Sequence, residues 1–318
     1  METLSSYIDK IIPGINDAWD RNKISDLAIL STPEAVLSKN SFLLSADIKF
    51  LWFSWFIESI YDYHKASEDI SYPEVVSSVR RGLLKTGFNE SDQKFNDVWK
   101  SISRLTYKLI SKSSGRSREH LTRSTKYDLI ERSKGTPYCW ICGHRFSSES
   151  IDKFSNLDAE IKLPNLIDYF LQKGLKERDF KIEVEHKMPF ISGGGDLSDL
   201  NNIELCCGFC NRYKWKFISI YDANRSLKTF IHPRIGNISI PQPYWAIRIL
   251  ALAEGCSEPT CTVKKEKAAL YVDLINDIGS ATPTNLKVVC KKHLKNKGDR
   301  FLDRKLFENR NTNRNSFI

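Results

Sequence analysis

Eight cysteines constrain this chain more than any other feature: none occurs in the first 138 residues, and all lie between Cys139 and Cys290. Six form close pairs, Cys139/Cys142, Cys207/Cys210 and Cys256/Cys261. The chain opens METLSSYIDK, with acidic residues and no apolar stretch of the kind that marks a secretory or transit segment, so reduced thiols in the cytoplasm are expected. Clustered reduced thiols favour metal over disulfides. The segments YCWICGH (138–144) and LCCGFCN (205–211) each hold a Cys-x-x-Cys knuckle, and Cys139, Cys142, Cys207 and Cys210 together would complete a tetrahedral zinc site. Cys207 is preferred to Cys206 because two intervening residues let both thiolates of a pair grip one ion, which leaves Cys206 as the spare thiol. With sulfur in all four positions no place is open for water, so this zinc is expected to be structural.

At 318 residues, 41% hydrophobic and 27% charged, the chain can bury two or three cores. Apolar residues at helical spacing (Val75, Val76, Val79, Leu83 and Leu84, then Trp99, Ile102, Leu105 and Ile110) predict a helical domain over residues 1–115. Its strongest apolar run, FLWFSWFI from Phe50 to Ile57, is too short to span a bilayer and reads as a buried helix, so no membrane partner is expected. His64, beside Tyr61 and Tyr63, reads as structural. Residues 1–100 hold 15 acidic against 11 basic side chains, so of the net charge of +9 the remainder carries about +13, and the nucleic-acid surface is expected there. Residues 104–134, with nine basic and three acidic side chains, read as a linker passing into a helix, HLTRSTKYDLIERS. Within the insert between the first two cysteine pairs, LPNLIDYFLQKGLKERDF reads as an amphipathic helix capped near Gly174.

Between Lys181 and Lys216 the alternation of Ile182, Val184 and His186 predicts a short strand ending in Glu185-His186. Pro189 and Gly193–Gly195 break it into a loop, and Asn202 to Leu205 lead into the second knuckle and a helix starting near Asn211. The order is strand, loop, strand, helix. Glu185-His186, Asn202 five residues before Cys207, and Cys207-x-x-Cys210-Asn211-x-x-Lys214 resemble the motif of HNH endonucleases with a zinc-stabilised ββα-metal fold, over roughly a quarter of the chain. The sequence departs from the family name in having Asn211 where the last histidine often stands and Glu185 where aspartate is commoner, an HNN-type variant. The resemblance implies that His186 is the general base and that Glu185 and Asn211 hold a catalytic Mg²⁺ or Mn²⁺. It further implies that Asn202 ties the loop ends together and aims His186, and that Arg212, Lys214 and Lys216 meet DNA phosphates.

The spacing recurs near the C-terminus. GCSEPTC (255–261) is followed by NLKVVCKKHLKNK (285–297), with Asn285 five residues before Cys290 and Lys297 seven after it, as Asn202 and Lys214 stand about Cys207. Cys256, Cys261, Cys290 and His293 would make a second, Cys₃His zinc site. No histidine lies between Cys261 and Cys290, so this copy lacks a general base and is expected to be structural or DNA-contacting. The segment 291–318, with nine basic and three acidic side chains, is expected to be disordered or ordered only on DNA.

The expected fold class is α+β: a helical domain (1–115), a nuclease domain with the Cys₄ zinc (116–225) and a C-terminal region with a second zinc site and a basic tail (226–318). The expected function is metal-dependent hydrolysis of DNA phosphodiester bonds, in a restriction or antiviral-defence setting. The alternatives are a catalytically silent, zinc-stapled nucleic-acid-binding protein, or one subunit of a larger complex in which residues 1–100 dock a partner such as an ATPase. One such centre nicks; cutting both strands would call for a homodimer or two visits.

Overall fold

The computed structural model describes residues 4–16, 18–67, 69–113, 122–133, 135–187, 201–215, 217–225 and 228–308. It is a mixed α and β structure. The N-terminal part runs through helices α1 (Leu4–Asn16), α2 (Arg21–Ala28), α3 (Glu34–Leu37), α4 (Ser41–Ile60), α5 (Tyr72–Lys85) and α6 (Phe95–Ser113). Helix α5 starts where Ser71 and Glu74 form a capping box and Pro73 sits in the first turn, a position that needs no backbone donor. Val75, Val79 and Leu83, one turn apart on one stripe, are fully buried with Phe95, Ile102 and Ile110 of α6 and with Ile57 and Ile60 of α4.

Helix α4 corrects one expectation. The run Phe50 to Ile57 is helical, but of it only Ile57 is buried: Phe50, Trp52, Phe53 and Trp55 are all exposed. The reason lies in the helix's two anchors. Its first turns send Leu43, Leu44 and Asp47 into the cysteine-rich body, while its last turn sends Ile57 and Ile60 into the helical core, so the aromatic middle bridges the two. Asp47, fully buried, accepts the Ile220 N–H at 2.6 Å and two guanidinium bonds from Arg248 at 2.7 and 3.1 Å. Asn40 donates to the carbonyls of Pro283 and Leu286 at 2.7 and 2.8 Å.

Among the described residues the remainder comprises α7 (Arg123–Glu131), α8 (Ser148–Phe154), α9 (Gly208–Lys214), α10 (Pro243–Leu252) and α11 (Lys297–Arg300), with four two-stranded antiparallel sheets. The strands are β1 (Leu166–Asp168) with β8 (Phe301–Asp303), β2 (Ile182–His186) with β3 (Ile203–Cys207), β4 (Lys228–His232) with β5 (Gly236–Ile240), and β6 (Leu270–Leu274) with β7 (Leu286–Cys290). One core holds them together: Ala246, Ile247 and Leu250 of α10 lie among Ile141, Leu205, Val272 and Leu286.

The insert differs from its expected helix. LPNLIDYFLQKGLKERDF instead forms β1, a turn and a short 3-10 segment, Glu177–Phe180. Gln172 and Gly174 take positive φ (53° and 105°), and β1 pairs with β8 from the far end of the chain, a long-range contact that local periodicity does not encode. That pairing also orders most of the basic tail. Arg300 is 2% exposed and bonded to Asp168, so residues 291–308 are folded into the body; residues 309–318 lie outside the described residues.

The C-terminal repeat is structural as well as sequential. In the first copy Cys139 N–H donates to His144 O at 2.9 Å and Trp140 N–H to Leu205 O at 3.0 Å; in the second, Cys256 N–H donates to Val263 O at 2.9 Å and Ser257 N–H to Val288 O at 2.8 Å. Each acceptor stands two residues beyond the second cysteine of the knuckle or two before the third, and the two extra residues of Cys256–Cys261 are absorbed within the knuckle loop. Strand register is identical, Ile182↔Cys207 to His186↔Ile203 against Leu270↔Cys290 to Leu274↔Leu286. Asp273 therefore stands where Glu185 stands, and Leu274 where His186 stands.

Candidate active site and metal centres

The four thiols of Cys139, Cys142, Cys207 and Cys210 are buried, with every sulfur within 4.8 Å of the others. A Zn–S bond of ~2.3 Å puts tetrahedral sulfurs roughly 3.8 Å apart, and Cys142 Sγ to Cys207 Sγ is 4.0 Å, so the set fits a tetrahedral ion. The sequence choice of Cys207 over Cys206 is the grouping found, although Cys206 Sγ lies 3.8 Å from Cys139 Sγ. Gly143 closes the knuckle at φ +69°, where a Cβ would stand 2.6 Å from Ala268 O; only glycine fits this left-handed, crowded turn. Lys173, which sequence reasoning missed, donates to Cys142 Sγ at 3.4 Å. Burial alone would lower its pKa, but negative charge on the sulfurs of Cys142, Cys207, Cys210 and Cys139 outweighs burial and raises it well above the usual lysine value. A cation there suits a centre in which four thiolates over-compensate a divalent ion.

Cys256, Cys261, Cys290 and His293 form the second group, with His293 Nδ1 3.4 Å from both Cys256 Sγ and Cys290 Sγ, and Cys261 3.9 Å from Cys290. The two groups could thus each hold a metal ion such as zinc. The second is less deeply buried, since Cys256 and Cys261 are only partly covered.

The strand ending in Glu185-His186 is β2, and the helix after the second knuckle is α9, which starts at Gly208 rather than near Asn211. Gly208 is needed there: an added Cβ would meet Arg178 O at 2.1 Å. Alternation puts Glu183 and Glu185 on the face of β2 that receives α9. Asn211 donates to Glu183 at 2.5 Å, and Lys214, one turn on, donates to the Glu185 carboxylate and, at 2.8 Å, to His186 O. His186 is half-buried at the strand end; Asn202 follows the loop, and its carbonyl accepts the Lys187 N–H at 2.7 Å.

Several expected phosphate contacts are otherwise engaged. Lys214 is 7% exposed and locked onto Glu185, so it braces the site from within instead of facing solvent. Arg212 donates to the buried Asp179 at 2.7 Å. Lys216 and the glycine run Gly193–Gly195 lie outside the described residues. Glu183, the partner of Asn211, was missed, although its alternation with Glu185 was a legible signal.

The second copy has its own cation on the equivalent carboxylate. Arg300 Nη1 lies 3.2 Å from Asp273 Oδ1 while Nε and Nη2 bond Asp168 at 2.9 and 3.0 Å. Lys297, the spacing counterpart of Lys214, instead donates to Lys292 O. Asn285, the counterpart of Asn202, ties its loop together through the side-chain amide: Nδ2 donates to Asn276 O at 2.9 Å and Ser280 O at 3.0 Å, and Oδ1 accepts the Asn276 N–H at 2.8 Å. The backbone bond matches too, Ile275 N–H to Asn285 O at 2.9 Å.

No protein-family profile matches the chain, and no curated protein or solved structure matches it.

Proposed function

We propose that this protein is an HNH-type endonuclease of the HNN variant, hydrolysing phosphodiester bonds of DNA with a divalent metal ion. One observation carries the reading: β2 ends in Glu185-His186, pairs in register with the strand that delivers Cys207, and receives on its Glu185 face the short helix bearing Asn211 and Lys214. That is a strand–strand–helix unit stapled by four thiols, with a carboxylate and an imidazole on adjacent residues.

In this reading the zinc held by Cys139, Cys142, Cys207 and Cys210 fixes the strand end. His186 takes the proton of the attacking water through its imidazole, the side chain most often used as a general base. Asn202 would take the role that the Asn285 amide has in the second copy, where it ties the loop ends together. Glu185 and Asn211 are oxygen donors of the kind a hard cation takes, and because the Asn211 amide N–H donates to Glu183, its carbonyl oxygen points away from that carboxylate. The Mg²⁺ or Mn²⁺ bound there would neutralise charge on the leaving oxygen. Lys214 would share the Glu185 carboxylate with it.

A second reading has its own observation. Glu185 already carries an ammonium, as Asp273 carries a guanidinium in the copy that lacks histidine, and a silent zinc-stapled nucleic-acid-binding protein would look like this. Incubation of supercoiled plasmid with the protein and Mg²⁺, Mn²⁺ or EDTA separates the two, beside His186→Ala. Metal-dependent nicking or linearisation, lost in the variant while zinc content and folding stay intact, is expected. Cleavage by neither protein, or by both equally, overturns the nuclease assignment.

A further inference from the structure

Residues 1–115 hold 15 acidic against 14 basic side chains, yet one groove among their helices is basic. Between α5 and α6, on the side away from the buried stripe, lies a groove of about 880 Å³. Arg80 and Arg81 of α5 and Lys100 and Arg104 of α6 line it, against one carboxylate, Glu90. Glu90 pairs with Arg80 at 2.9 Å; among the described residues Arg81, Lys100 and Arg104 have no ion-pair partner, and all three are exposed. Four cations against one carboxylate along a single groove exceed the nearly balanced charge of the region around it.

The groove also has flat walls. Tyr72 enters it from the first turn of α5, 36% exposed and braced edge-on by Tyr107 at 5.3 Å. Trp99 enters from α6, its indole N–H tied to Asn96 at 3.0 Å and the Lys100 ammonium 5.7 Å from its ring centre. From Tyr72 to Leu84 the lining follows α5 for roughly 18 Å at ~1.5 Å per residue, too long for one phosphate group. Cations spread along a channel and aromatic faces held by neighbours are what a single nucleic-acid strand uses, phosphates on the charges and bases on the rings. An acidic peptide would engage the cations but has no use for Tyr72 and Trp99.

We propose that the α5–α6 groove binds a single nucleic-acid strand and is a second nucleic-acid contact, separate from the Glu185-His186 strand. It does not depend on the cleavage reading, because it concerns binding alone.

The test is fluorescence anisotropy of a labelled single-stranded oligonucleotide with full-length His186→Ala protein, titrated at several salt concentrations. Replacing Arg81, Lys100 and Arg104 together by Ala should weaken binding more than tenfold and flatten the plot of log affinity against log salt by about two, at ~0.7 per cation for single strands. Trp99→Leu should weaken binding roughly tenfold while leaving the salt slope in place. Arg104→Ala alone, at an exposed position, should move both quantities in the same direction as the triple variant if that one folds poorly. Folded variants that bind with the parent's affinity and slope overturn the proposal. So does a parent protein that ignores the oligonucleotide, or one from which a polyglutamate peptide displaces it at equal charge concentration. Failure of plasmid cleavage leaves these outcomes unaffected, so the two proposals fail separately.

Discussion

Lys214 sits where a surface contact was expected and a buried brace was found. Its side chain is 9% exposed and that of Glu185 13%, so the pair is a buried ion pair that also reaches His186 O. Removing one partner leaves a desolvated charge behind, which typically costs about 3–5 kcal/mol, while replacing both with neutral groups of similar volume costs far less. Lys214→Met should therefore lower the urea midpoint strongly, and Glu185→Gln with Lys214→Met should recover most of that loss. A lysine that served mainly a phosphate would behave in the opposite way: the single variant would unfold at the parent's urea concentration and lose DNA affinity instead. Spacing put Lys214 in the same motif as Glu185 but did not give the direction of its side chain. That direction follows from α9 starting at Gly208, one turn earlier than its polar residues suggested, which turns Asn211 and Lys214 onto β2.

Knuckle and hairpin form the repeating element, followed by α9 in the first copy and by a 3-10 turn, Lys291–His293, in the second, and the two copies differ in how deeply they bury their candidate ligands. The first buries all four thiols; the second leaves Cys256 and Cys261 partly covered. Since metal binding and folding of such elements are coupled, Cys207→Ser should lose one equivalent of zinc by metal analysis and unfold the region around β2 and β3. His293→Ala should lose the other equivalent while retaining the first. A folded Cys207→Ser protein that kept both equivalents would mean that Cys206 or another ligand closes the site. The sequence showed both sets of ligands through cysteine spacing, because a tetrahedral ion needs donors at short, fixed separations. The insert was not legible in the same way: its apolar residues suit a helix, yet β1 forms because its partner β8, Phe301–Asp303, lies at the far end of the chain.

Across the whole molecule, the cysteine-rich part and the helices α5 and α6 have separate cores, joined by α4. Both metal-ligand groups line the same larger core, with β6 bonded to the first knuckle through Leu270 N–H to Cys142 O at 2.9 Å. Stripping zinc with a strong chelator should therefore expose Ile141, Leu205 and Val272 to hydrogen exchange together, while Val75, Val79 and Leu83 of α5 stay protected. Protection lost in both at the same chelator concentration would show that the two cores fold as one unit. The exposed aromatic middle of α4 belongs to this scale too: what reads as a buried run in sequence is the span between two bodies, and neither covers it.

The sequence by itself determined the chemistry that repeats at fixed spacing. It placed two ligand sets, the strand ending in Glu185-His186, the asparagine before each second strand, and a second copy without histidine. These are local patterns set by coordination geometry and strand period. Tertiary structure alone decided which cations face inward, Lys214 onto Glu185 and Arg300 onto Asp168 and Asp273, because a side chain's direction depends on what its helix packs against. It also decided that four basic residues share one groove with Tyr72 and Trp99, since α5 and α6 bring them together only when their apolar stripes meet.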